Sequence, residues 1–240
     1  MSYELRTENR HRTKRTNIED MEEKKEKTNL KRALSNKNVM RARFEVAQFT
    51  GEWLRSFGKP ELSGTWIVYG GSGCGKTTFV MMMCKYLTNF GRVAYDSLEQ
   101  GLSLSLQRTW ERVGMEEAGN RIMLLEKESM QEVRERLRRK WAPQIVVIDS
   151  LQYWQDFCMR DHMRLRAEFP KVLFIYISQA RGGQPDGKLA QRIRYDSDVK
   201  IRVEGYKAFF TTRYENPDAH EGGEDFIIWD KGAREYWSEM

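Results

Sequence analysis

The chain has 240 residues, 40% of them hydrophobic and 12% aromatic, enough for one good-sized packed domain and an appendage. No run approaches the roughly 18 uninterrupted apolar residues of a membrane span. The polar start from Met1 to Asn38 has no apolar signal core, so neither a membrane protein nor a secreted one is expected. A net charge of +6 is compatible with a polyanionic partner but decides nothing alone.

Residues 1–38 alternate basic and acidic clusters, such as Arg10-His11-Arg12 and Glu22-Glu23-Lys24-Lys25. Nothing in them could build a core, so they read as a disordered or loosely helical tail. Such a tail is either simply solvated or an arm for nucleic acid or a protein partner. From Val39 the pattern changes. Val46, Phe49, Trp53 and Phe57 recur at helical spacing and Gly58-Lys59-Pro60 closes the run, which predicts an amphipathic helix and linker over 39–60. Its apolar face is expected to pack on the domain that follows; docking on a neighbouring copy is the alternative.

The next stretch organises the rest. Trp66-Ile67-Val68-Tyr69 reads as a buried strand, followed by Gly70-Gly71-Ser72-Gly73-Cys74-Gly75-Lys76-Thr77-Thr78. Gly70 and Gly75 flank four residues and Lys76-Thr77 follow, so the pattern G-x-x-x-x-G-K-[ST] is complete. The glycines let backbone N–H groups turn inward as a nest for phosphate oxygens, and the helix that follows adds its positive end. Lys76 is placed to reach the β- and γ-phosphates, and the Thr77 hydroxyl to hold Mg²⁺. A chance glycine turn is the competing reading. The strand before and the helical pattern after argue against it, so a nucleoside triphosphate is the expected ligand.

Phe79, Met82, Met83, Tyr86 and Leu87 mark the helix after the loop, with Gly91 just past its end. A second strand over 92–99 ends in Glu99. Leu102, Leu106, Trp110 and Val113 predict a helix, and 121–126 a third strand. Met130, Val133, Leu137 and Trp141 predict another helix, stopped at Pro143, and 144–150 a fourth strand ending in Asp149-Ser150. A polar, partly helical section over 155–169 leads to a fifth strand, 172–179, ending in Gln179. Strands alternating with helices predict an α/β fold, a doubly wound and mainly parallel sheet. Continuous Val/Ile runs fit strands covered on both faces. Residues 181–188, rich in glycine and cations, read as a loop. Three short β-like runs, 198–205, 207–215 and 225–230, predict a C-terminal antiparallel extension, with turns at Gly205-Tyr206 and Asn216-Pro217-Asp218.

In such a sheet ligands bind at the carboxyl ends of the strands, where Gly70, Glu99, Asp149 and Gln179 all fall. Asp149 is the candidate second metal-organising carboxylate. Glu99 is the candidate general base for attack on the γ-phosphate, or an ordinary strand-end carboxylate. Gln179 is a candidate γ-phosphate sensor or a surface polar group. Arg213 is a candidate arginine finger acting on a neighbouring subunit, or a surface cation. Three cysteines, Cys74, Cys84 and Cys158, have neither zinc-ligand nor disulfide-framework spacing, which suits a reduced, cytoplasmic protein.

These residues together resemble the RecA-like P-loop ATPase superfamily. The resemblance rests on the phosphate loop, Ser97-Leu98-Glu99, Val147-Ile148-Asp149-Ser150-Leu151-Gln152 and Ile177-Ser178-Gln179-Ala180-Arg181. It covers about residues 60–216 and looks closest to the RadA-type repair ATPases and the DnaB-type helicase core, so residues 61–240 are expected to be a RecA-like ATPase domain. The resemblance implies ATP and Mg²⁺ as ligands, Lys76 and Thr77 on phosphate and metal, Glu99 as base, Asp149 on the metal and Gln179 as sensor. Arg213 would match the arginine of a trans-acting Lys-x-Arg element. Thr211 stands where that lysine belongs, so the element is incomplete. Neither a four-cysteine zinc module nor a large N-terminal helicase domain is recognisable.

In the family, the loops after the fourth and fifth strands face DNA. Here they offer Arg160, Arg164, Arg181, Lys188, Arg192 and Arg194, which suit sequence-independent phosphate contact or a solvated loop. The expectation is therefore a Mg²⁺-dependent ATPase, assembled as a homo-oligomeric ring or filament, that couples turnover to single-stranded DNA. Two rivals stand beside it: a nucleotide-switched regulatory subunit acting on a protein partner, and a P-loop kinase.

Overall fold

The structure is a computed structural model that describes residues 32–214 and 223–238. It divides into two compact units between Arg43 and Phe44. In the first, the described residues form α1 (Asn36–Arg41), whose first turn is closed reciprocally. The Ser35 hydroxyl accepts from the Asn38 N–H at 3.3 Å, and the Asn38 side-chain oxygen accepts from the Ser35 N–H at 3.1 Å. None of its residues is buried. The rest of the predicted tail, residues 1–31, lies outside the described residues.

The second unit opens with a shorter helix than the sequence predicts. The helix expected from Val46 to Phe57 is confined to α2 (Gly51–Phe57). The donors ahead of it are engaged elsewhere: the Ala47 N–H bonds the Pro60 carbonyl at 2.8 Å and the Thr50 N–H bonds the Tyr86 hydroxyl at 2.8 Å. Val46 is left exposed, while Phe49, Trp53 and Phe57 still share one aromatic cluster in the core.

The strands are β1 (Gly64–Gly70), β2 (Val93–Ser97), β3 (Ile122–Leu125), β4 (Ile145–Asp149), β5 (Leu173–Arg181), β6 (Gln184–Pro185), β7 (Val199–Glu204), β8 (Lys207–Thr212) and β9 (Phe226–Ile227). They lie in the order β3-β2-β4-β5-β1-β7-β8-β9, with β6 folded back on β5. Along that order every pairing from β3 to β7 is parallel, and β8 and β9 add antiparallel. This is the doubly wound sheet with an antiparallel extension that the sequence predicts.

Side chains alternate across it. Trp66, Val68, Tyr95, Val147, Ile175 and Ile201 enter one core, and Ile67, Tyr69, Val146, Ile148, Phe174 and Tyr176 the other. Both faces are thus covered, which is why these strands are apolar without a period of two. The connecting helices are α3 (Lys76–Leu87), α4 (Leu104–Arg112), α5 (Met130–Leu137), α6 (Met159–Glu168) and α7 (Lys188–Asp196), and α8 (Asp230–Ser238) follows the last strand.

Two segments differ from expectation. Residues 181–188 are not an open loop. β5 continues to Arg181, turns through Gly182-Gly183 and returns as β6, and α7 begins at Lys188. Both turn glycines have positive φ, 57° and 74°, the conformation a two-residue hairpin turn requires. The β-like run expected at 225–230 is reduced to Phe226–Ile227 before α8 begins. The turn expected at Asn216-Pro217-Asp218 lies outside the described residues.

Asp96, on β2, is fully buried, and one carboxylate oxygen has no partner while the other accepts from the Glu128 N–H at 3.3 Å. Burial pushes its pKa up to about 6. A folded-state value above the unfolded one costs stability above about pH 6 and relieves that cost as pH falls toward 4. Asp96→Asn is therefore expected to melt higher than wild type at about pH 7.5, with the gap closing near pH 5. Thermal unfolding at the two pH values checks this; a gap that does not shrink at the lower one contradicts it.

Candidate nucleotide and metal site

The phosphate loop leaves β1 at Gly70, where close packing demands glycine: a Cβ would lie 2.3 Å from the Val203 carbonyl oxygen. It enters α3 through Gly75, whose φ of +96° belongs to the left-handed region. No side chain caps α3, so its first N–H groups and its dipole are free to meet an anion. Lys76 is half-buried and its Nζ bonds the Gly71 carbonyl at 3.3 Å, folded back over the loop.

The carboxylates approach from the neighbouring strands. Asp149 ends β4, 8% exposed, on the sheet face that carries α3. Tyr95 on β2 donates its hydroxyl to Asp149 Oδ2. Burial raises the Asp149 pKa, opposed first by the Tyr95 hydrogen bond; the charge of Glu99 raises it further and that of Lys76 lowers it. Burial, and then the Asp149 charge, hold the Tyr95 phenol well above its ordinary value, so it acts as a donor. Glu99 follows β2 and is exposed. Its N–H bonds the Asp149 carbonyl at 3.0 Å, and its carboxylate accepts from the Ser150 hydroxyl at 3.4 Å. Lys76, Asp149 and Glu99 are thereby gathered at one edge.

Thr77 and Asp149 offer hard oxygens of the kind Mg²⁺ takes when substrate phosphates supply further ligands. Among the described residues no group of three or more His, Cys, Asp or Glu forms a self-contained metal cage. The donor set fits Mg²⁺ shared with a nucleotide.

Gln179 lies beside Gly70 in the β1–β5 register. The Gln152 side chain, just beyond β4, clamps this corner. Its amide donates to the Ser178 hydroxyl at 2.7 Å and the Asp186 carbonyl at 2.9 Å, and its oxygen accepts from the Gln179 N–H at 3.4 Å. The candidate sensor is thus tied both to the strand that carries Asp149 and to the base of the β5–β6 hairpin.

A cavity of about 790 Å³ runs from Lys76, Thr77 and Thr78 to Arg112 on one side and Tyr206 and Trp229 on the other. The Arg112 guanidinium bonds the Thr78 hydroxyl at 3.1 Å. Gly205 and Tyr206, with φ of 51° and 59°, form the β7–β8 turn, and the Tyr206 N–H bonds the Cys74 carbonyl at 3.2 Å. The Tyr206 ring meets Trp229 edge-to-face at 4.9 Å. Arg112, Tyr206 and Trp229 line this cavity, and the sequence does not single them out. Nothing local marks them, because helix, hairpin tip and C-terminal segment meet only in the fold.

Arg213 stands apart. Because β8 runs antiparallel to β1 and β7, its last residues lie at the edge opposite the phosphate loop. There Arg213 pairs with Asp198 at 3.0 Å and bonds the Tyr195 carbonyl at 3.4 Å. The other cations divide. Arg181 is at the hairpin, 3.6 Å from Asp186, and Lys188 and Arg192 are exposed on α7. Arg194 instead lies over the Tyr69 ring, 5.6 Å from its centroid, with its Nε 3.3 Å from the Tyr69 hydroxyl. On α6, Arg160 and Arg164 are exposed.

No protein-family model matches the chain, and no curated protein matches it by sequence. Solved structures do match in shape. The flagellar accessory protein FlaH from Methanocaldococcus jannaschii is 13% identical and superposes with a TM-score of 0.56, over 78% of this chain and 96% of that one. A second solved structure, an isolated ATPase domain, is 17% identical with a TM-score of 0.51, over 72% of this chain and 84% of that one. The fold is that of the RecA-like P-loop ATPases.

Proposed function

We propose that this chain, with its RecA-like P-loop fold, is a Mg²⁺-dependent ATPase that works as a homo-oligomer. Its turnover is coupled to single-stranded DNA in repair, recombination or replication. The observation that carries the reading is the meeting of an uncapped α3 N-terminus with Lys76, Asp149 and Glu99 at the carboxyl edge of the sheet, next to Gln179. Lys76 and the loop N–H groups bind the β- and γ-phosphates, and Thr77 and Asp149 hold Mg²⁺. Bound Mg²⁺ supplies positive charge to the phosphate oxygens. Glu99 orients water on the γ-phosphate and takes its proton. The Tyr206–Trp229 end of the cavity receives the base. Arg213, at the far edge of its own chain, suits a role on a neighbour's nucleotide after release from Asp198.

Gln179 senses the γ-phosphate, and the Gln152 clamp gives that signal a path to the hairpin and α7. Lys188, Arg192 and Tyr195 recur at i, i+4 and i+7, all exposed, as a cationic and aromatic stripe along α7. The test is the steady-state ATPase rate with and without single-stranded DNA, with Lys76→Ala as the blank. Stimulation that fades with salt is expected. A K188A/R192A double variant should lower the slope of log affinity against log salt by about 1.4, at roughly 0.7 per charge. A rate indifferent to DNA at low salt sinks the coupling, leaves the phosphate-loop reading standing and favours a partner-regulated switch.

A further inference from the structure

We infer that Tyr95 is the positioning residue of the metal carboxylate. It fixes Asp149 so that a single oxygen, Oδ1, is offered toward a divalent cation bound with the nucleotide. This rests on the assignment of Asp149 to the metal and adds the group that holds it.

In the β2–β4 pair Ser97 stands opposite Asp149 and Tyr95 opposite Val147. Tyr95 therefore occupies the same sheet face as Asp149, one side-chain step further from the strand end. That step is too long for a serine or threonine hydroxyl. A phenol spans it, and the Tyr95 hydroxyl donates to Asp149 Oδ2. Tyr95 is fully buried and Asp149 nearly so. A buried phenol needs a partner for its hydroxyl, and a buried carboxylate needs donors for its oxygens; each supplies what the other lacks.

A carboxylate with both oxygens unfilled can turn about its terminal bond, because such torsions are broad. A directional hydrogen bond to Oδ2 removes that freedom and leaves Oδ1 for a ligand on the sheet face that carries α3, whose first turn holds Thr77. Groups that orient a metal ligand in this way typically change metal affinity by about tenfold or more when removed.

The test uses Tyr95→Phe in the full chain, a change that keeps the buried ring and deletes the donor. The affinity of a fluorescent, non-hydrolysable ATP analogue is measured at equilibrium in EDTA and across a Mg²⁺ titration. The expected result is unchanged affinity in EDTA, with the Mg²⁺ midpoint raised by about tenfold. In an Asp149→Asn background the same Tyr95→Phe change should add nothing, because Tyr95 acts through that carboxylate. A Mg²⁺-responsive wild type with an unmoved midpoint in Tyr95→Phe overturns the proposal alone. Equal loss in EDTA and Mg²⁺ overturns it in favour of simple packing. A wild type whose affinity ignores Mg²⁺ overturns the metal reading of Asp149 and this proposal with it.

Discussion

Lys76→Ala is expected to weaken nucleotide binding severely while leaving the fold intact. The Lys76 ammonium lies over the loop on the Gly71 carbonyl, so a triphosphate replaces a neutral acceptor at 3.3 Å with an anionic one. Alanine leaves the phosphate charge facing N–H groups alone. Removing one partner from a buried, hydrogen-bonded charge pair costs about 2–5 kcal/mol, roughly a factor of 30 to several thousand in affinity. Lys76 belongs to neither core cluster, so thermal stability should change little. Titration of a fluorescent ATP analogue, with circular dichroism as the control for folding, reads both. A dissociation constant close to that of wild type would mean that the loop does not bind phosphate.

Glu99→Gln is expected to separate binding from chemistry. Glutamine keeps the side-chain length and retains an oxygen that can accept the Ser150 hydroxyl, so local geometry survives. It loses the basic carboxylate. Turnover should fall by a factor on the order of 10² to 10⁴, with nucleotide affinity nearly unchanged. Single-turnover hydrolysis at saturating Mg²⁺, beside an equilibrium binding curve, separates the two. Normal turnover by Glu99→Gln would remove Glu99 from the base role and leave it as a strand-end carboxylate that receives the Ser150 hydroxyl.

The antiparallel extension shows where a reading along the chain falters. The run 207–215 reads as a strand and Lys207–Thr212 is one, yet its direction decides where Arg213 lies. Antiparallel pairing with β7 carries Arg213 to the edge opposite its own phosphate loop. The segment after Gln179 shows a weaker form of the same limit. Leu189, Ala190 and Ile193 carry a helical spacing and do form the inner face of α7. That signal is short, and it follows Gly182-Gly183 and Pro185, which favour reading the whole run as loop.

Motifs and elements held in contiguous residues are legible along the chain. The glycine-rich motif is an unbroken run from Gly70 to Thr77, and the strands that lead to Glu99, Asp149 and Gln179 are legible as largely apolar runs. Contacts between residues far apart in the chain depend on the fold. Tyr95 and Asp149, 54 residues apart, bond because β2 lies beside β4. Gln152 reaches Gln179 because β4 lies beside β5, and Tyr206 meets Trp229 because a hairpin tip and the C-terminal segment pack over one loop. Local periodicity reports which face of a strand is buried; it carries no term for which strand comes next, and strand order chooses these partners.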